Sequence, residues 1–188
     1  MKKKLSTTSL TLISLGIALN VIGAFIALNL KLPIYLDSIG TIFIAYILGS
    51  KYAIITGVCG SMVSGMTFDI YSFFFMPVQI STGLIAGLMY KKGFLNGVKT
   101  PIGVLAFSIP TSILSAIIAA FVFGGVTSSG SSYIVQILSG FGINKVVSVF
   151  LTQVLTDYID KLIAVLLVNS AVLSIPSNFI YKLKTNKN

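Results

Sequence analysis

A chain of 188 residues that is 55% hydrophobic and only 9% charged, with a mean hydropathy of +1.00, falls outside the soluble globular class, in which about a quarter of residues carry charge. The apolar runs are continuous rather than alternating, which predicts one all-α integral membrane domain over 1–188 and excludes the dyad pattern of a barrel. In that class the net charge of +9 is an orientation signal, not a nucleic-acid footprint.

Met1-Lys2-Lys3-Lys4 followed by an apolar run imitates a signal peptide. The run from 9 to 30 is longer than the roughly 7–15 residues of an h-region, so it reads as a retained first span over 8–30. Small residues recur there at four-residue spacing, Ser14 with Ala18 and Gly23 with Ala27. This pattern lets helix backbones approach closely in lipid. The Gly23 pair is expected to pack inside the protein, whereas for Ser14 and Ala18 an external helical partner is an equal alternative.

Lys31-Leu32-Pro33 ends the first span, and a short second span covers 38–48. After the turn Gly49-Ser50-Lys51 a third span covers 52–68. The aromatic segment Tyr71-Ser72-Phe73-Phe74-Phe75 is either an interfacial anchor or, with Asp69 beside it, a lid over a ligand. Pro77 suits a helix start, and the fourth span covers 77–90, ending at Lys91-Lys92-Gly93. Gly93, Gly97 and Lys99 have the wrong spacing for a phosphate-binding loop, because Val98 intervenes and no strand precedes them. The fifth span covers 101–123 with a kink expected at Pro110. A flexible Gly/Ser loop at 124–132 and a short amphipathic piece at 133–138 lead into a long sixth helix over 144–173.

Charge sets the expected topology. With the N-terminus inside, the cytoplasmic side receives Lys2, Lys3, Lys4, Lys51, Lys91, Lys92, Lys99, Lys182, Lys184 and Lys187, leaving Lys31, Lys145 and Lys161 elsewhere. Six crossings with both termini cytoplasmic follow from that asymmetry. Asp37, Asp69, Asp157 and Asp160, the chain's four acidic residues, then share the outer half. At ~1.5 Å per residue, Asp37 lies about 21 Å above Lys51, Gln79 about 18 Å above Lys91 and Asp160 about 24 Å above Pro176. In a core ~30 Å thick these depths converge below the outer surface, implying a bowl open to the outside.

Asp157-Tyr158-Ile159-Asp160-Lys161 interrupts an oily helix, and ionisable groups at such depth mark functional sites. Spacings of three and four place the charges on one face, with Lys161 expected to pair with Asp157 and Asp160 left as the ligand contact. Asn20 and Gln153 are expected to form interhelical hydrogen bonds. The chain has no His and a single Cys59, so neither a transition-metal site nor an intrachain disulfide is expected, and no nucleophile–base pair points to an enzyme. No cofactor is expected.

Pro33-Ile34-Tyr35-Leu36-Asp37-Ser38-Ile39-Gly40-Thr41 with the apolar run to Gly49 resembles the first loop and second helix of substrate-binding (S) components of energy-coupling factor (ECF) transporters. Gly83-Leu84-Ile85-Ala86-Gly87 through Gly93 is similar to the end of their fourth helix, and Asp157-x-x-Asp160-Lys161 to the sixth helix of vitamin-type members. The resemblance implies an S-component-like bundle that captures a vitamin-like micronutrient from outside. It also implies association with a transmembrane T component and two cytoplasmic ATPases, and toppling in the membrane to release substrate inside. In the family an Ala-x-x-x-Ala face on the first helix docks on the T component; here Ser14 stands at the first position and Ala18 matches the second. Lack of His argues against the nickel/cobalt branch, and lack of Trp against a thiamine-type pocket.

The candidate substrate-binding residues are Tyr35, Asp37, Asp69, Tyr71, Gln79, Asp157, Asp160 and Lys161, with Ser14 and Ala18 for partner docking. An acid-rich site favours an amine, a cationic ring or a nucleoside-like ligand and disfavours phosphorylated ones. Membrane lipid is the surrounding partner and nucleic acid is not one. The competing classes are a membrane sensor or assembly subunit without transport, and a channel, against which the lack of a repeated polar face counts.

Overall fold

The computed structural model describes residues 6–176, and every regular element among them is helical. The N-terminal Lys2, Lys3 and Lys4 and the C-terminal Lys182, Lys184 and Lys187 lie outside the described residues. Helices α1 (Thr7–Asn29), α2 (Ile39–Leu48), α3 (Ser50–Thr67) and α5 (Met76–Lys91) form one half, with the single turn α4 (Tyr71–Phe74) between the last two. The other half comprises α6 (Thr100–Ile117), α7 (Ser131–Gly140) and α8 (Lys145–Leu173). Two segments, Thr7–Asn29 and Gly97–Val122, are long and apolar enough to cross a membrane.

Local chemistry explains the boundaries. Ser6 caps α1 by accepting the Ser9 N–H, and Asn144 caps α8 by accepting the Val146 N–H. Gly49, at φ +76°, turns α2 directly into α3. Proline sits in the first turns of α5 and α6, where its missing N–H costs nothing. Helix α6 contains Pro110 in its interior, and a π-helical turn, Ile118–Val122, follows it. The amphipathic piece also begins earlier than expected, at Ser131, whose N–H is held by the Ser129 hydroxyl.

Helix α2 occupies the centre, packed by α1, α3, α5 and α8, and is buried almost all round, as an evenly apolar helix must be. Helix α1 buries Ile13, Gly16, Asn20, Gly23 and Ala27 and turns Leu15, Leu19, Ile22, Phe25 and Ile26 outward. Ser14 and Ala18 lie on its exposed side, whereas Gly23 packs on the α1–α2 connection, against the carbonyl of Leu36. Gly40 crosses α1 so closely that a Cβ there would collide with the Gly16 carbonyl. On α5, Gly83 and Gly87 admit the backbone of α3 at Ala53–Ile54 and at Ser50. Along α1 the neighbours run from Gly40 at Gly16 to Leu36 at Gly23, so α1 and α2 are antiparallel. By the same reasoning exposed Lys51, Lys91, Lys92 and Lys99 gather at one end and the four aspartates toward the other.

The glycine crossing yields a direct test. Overpacking of ~3 kcal/mol should lower the thermal midpoint of Gly40→Ala by about 6–12 °C in detergent. Gly140→Ala, where a Cβ meets nothing within 4 Å, should stay within about 2 °C of the parent.

Candidate functional site

Helix α8 carries the charged stretch into the interior, and Asp160 there is fully buried. Its Oδ1 accepts the backbone N–H groups of Tyr35 (3.1 Å) and Leu36 (2.7 Å). Its Oδ2 accepts the Ser38 hydroxyl (3.3 Å) and the Lys161 ammonium (3.2 Å). These bonds fold the α1–α2 connection down onto α8, with Leu36 held at φ +53°, a left-handed conformation costly for any residue with a Cβ. The Lys161–Asp157 pair expected from helical spacing forms, but Lys161 lies closer to Asp160 and is shared between the two. Asp160 is consumed by the loop and by Lys161, while the Asp157 carboxylate lies farther from the ammonium, at 4.0 Å. Asp157 Oδ2 is buried without a hydrogen-bond partner, as is Ser112 Oγ on α6.

Around this clasp the neutral side chains of Tyr35, Asn20, Gln79 and Gln153 are paired. The Tyr35 hydroxyl donates to Gln153 Oε1 (2.6 Å) and lies 3.1 Å from Ser131 Oγ. Asn20 donates to Thr41 Oγ1 (2.8 Å) and accepts the Gly40 and Thr41 N–H groups, the interhelical bonds expected of it, whereas Gln153 ties α8 to the α1–α2 connection and not to another helix. Gln79 bridges the Asp37 carbonyl (3.2 Å) and Thr41 Oγ1 (3.2 Å). The depths calculated for Asp37, Gln79 and Asp160 thus correspond to real contacts through one loop.

These elements surround a cleft of about 710 Å³, its open mouth included. Tyr35, Asp37, Asp69 and Tyr71 line it, together with Gln79, Asp157 and Lys161. Among the sequence candidates for substrate contact only Asp160 does not, since it stands behind Lys161 as its support. Ser14 and Ala18 lie away from the cleft, on the outward face of α1. The aromatic segment forms part of the wall: Tyr71 and Phe74 meet the Phe123 ring edge-on at 4.8 and 5.0 Å, and Phe75 stacks on it at 6.1 Å. Asp69 begins that segment by accepting the Ser72 hydroxyl at 3.0 Å.

Sequence reasoning missed Ser115 and the apolar wall of Ala24, Leu28 and Leu32. For Ser115 a signal existed, since Ser108, Ser112 and Ser115 repeat at helical spacing on the buried face of α6. Thr127, Ser128 and Ser129 also line the cleft, from the Gly/Ser loop. Among the described residues no group of three or more His, Cys, Asp or Glu could hold a metal ion. No protein-family model, characterised protein or solved structure matches the chain.

Breaking one partner of a buried, hydrogen-bonded charge pair costs about 3 kcal/mol. Asp160→Asn should therefore melt roughly 6–12 °C lower in detergent. Asp37→Asn leaves the backbone carbonyl that meets Gln79 in place and should shift the midpoint by less than about 3 °C.

Proposed function

We propose that this chain is the substrate-capturing S component of an ECF-type importer. It would cross the cell membrane six times with both termini in the cytoplasm, taking a vitamin-like small molecule (an amine, cationic ring or nucleoside-like compound) from outside. The observation that carries the reading is the cleft at the aspartate-rich end, lined by polar groups from the α1–α2 loop, α5 and α8. A cleft bounded by the α1–α2 and Gly/Ser loops, in a bundle whose other helices cross backbone to backbone at glycines, suits one-sided capture better than a through-pore.

The clustering of Lys51, Lys91, Lys92 and Lys99 at the opposite end supports the orientation, because lysine collects on the cytoplasmic side. A large apolar exterior, Ile102, Phe121 and Leu173 among it, supports lipid as the surroundings. The exposed Ser14 and Ala18 face supports docking on a T component, which would link the chain to two ATPases.

Tagged protein expressed with its genomic neighbourhood should recover a T component and ATPases, and deletion should abolish uptake of the substrate. Ser14→Leu combined with Ala18→Leu should cut ATPase recovery at least tenfold with the thermal midpoint unchanged. Failure to recover any ATPase, with no uptake defect on deletion, would favour a sensor or assembly subunit instead.

A further inference from the structure

We infer that the ligand is a small cation bearing N–H donors, an ammonium, amidinium or guanidinium group on an apolar body, and that Asp157 receives its charged end. The inference rests on the capture role proposed above and narrows its substrate class. Two independent observations carry it.

The first is a charge imbalance. Asp157 and Asp160 share a single ammonium, Lys161, at 4.0 and 3.2 Å, and half-buried Asp37 lines the same cleft, where Lys161 is the one cation among the described residues. Asp160 already has Lys161 at 3.2 Å, two backbone N–H groups and a serine hydroxyl. One ammonium cannot compensate three carboxylates at this depth, and a bound cation restores the balance.

The second is an orphan acceptor. Asp157 is 1% exposed and lines the cleft, and although the Ser112 hydroxyl lies beside its carboxylate, neither that hydroxyl nor Asp157 Oδ2 is within hydrogen-bond distance of a partner. A buried acceptor left unpaired is costly, and an incoming donor removes that cost. A quaternary ammonium supplies charge without a donor, and an alcohol or amide supplies a donor without charge. Only an N–H cation supplies both, through a charge-assisted bond. Phe75, Leu28 and Leu32 line the same cleft and fit an apolar or flat body.

The full-length protein in detergent would be titrated calorimetrically, and examined by native mass spectrometry, with benzamidine and phenethylamine. Their counterparts are benzamide, 2-phenylethanol and phenyltrimethylammonium. The two N–H cations should bind at least tenfold more tightly than the three counterparts. Asp157→Asn should weaken them at least tenfold while melting no lower than the parent, since it removes an uncompensated buried charge. Equal binding of neutral or quaternary compounds, no binding by any of the five, or unchanged affinity in Asp157→Asn would each overturn the assignment. Selectivity of the parent protein decides the question even where Asp157→Asn folds poorly. ATPase recovery does not depend on the ligand, so its persistence beside a failed titration would refute the cation and leave the importer reading standing.

Discussion

Asp160 accepts two backbone N–H groups and a hydroxyl from the α1–α2 connection while sharing its second oxygen with Lys161. A buried carboxylate would be prohibitively costly without such a set of donors, and a loop dipping among helices would be equally costly without an acceptor for its N–H groups. Each solves the other's desolvation problem. The left-handed Leu36 is the residual cost of the bend, of the order of 1–2 kcal/mol, and the 2.7 Å bond to its own N–H offsets it. Tyr35 and Asp37 reach the cleft because the residue between them is fixed in this way.

The rest of the bundle divides according to whether backbones or side chains fill the space. Where Gly16 meets Gly40, and Gly83 and Gly87 meet α3, helices touch backbone to backbone and leave no room for a ligand. Toward the aspartates the facing positions are Asn20, Thr41, Gln79, Gln153 and the serines of α6, whose side chains hold the helices apart and present donors and acceptors. The long α8 spans both regimes. Ala164, Val165 and Val168 pack in the apolar core, and one to two turns earlier Asp157, Asp160 and Lys161 meet the loop.

Convergence of Asp37, Gln79 and Asp160 was legible in the sequence because depth accumulates linearly along a helix, so counting from the lysine ends suffices. The partition between Asp157 and Asp160 was not legible. Neighbouring residues on a helix diverge by about 100°, which makes a Lys161–Asp160 pair the poorer choice from spacing alone. The long lysine stem curls back because the loop draws Asp160 inward, and no pattern within α8 encodes a loop more than a hundred residues away. Ser115 hid for a different reason: serines on an apolar helix also satisfy themselves locally, as Ser108 does on the Leu105 carbonyl. Phe123 lay at the end of an expected span and gave no sign that the π-helical turns preceding it would end with its ring among three aromatics.

The bonds over the cleft differ in kind from those beneath it. One side chain, Tyr35, ties the α1–α2 loop to Gln153 on α8 and to Ser131 at the start of α7. The 124–130 connection seats Gly130 against the carbonyl of Lys31, is held to the preceding helix by the Gly125 N–H on the Ala119 carbonyl (2.7 Å), and otherwise bonds among Thr127, Ser129 and neighbouring serines. All of these are neutral contacts, each worth about 0.5–1.5 kcal/mol net, so parting a few of them lies within the reach of ligand binding energy. The charged clasp at Asp160, which holds the backbone of the same α1–α2 connection, costs several times more to break.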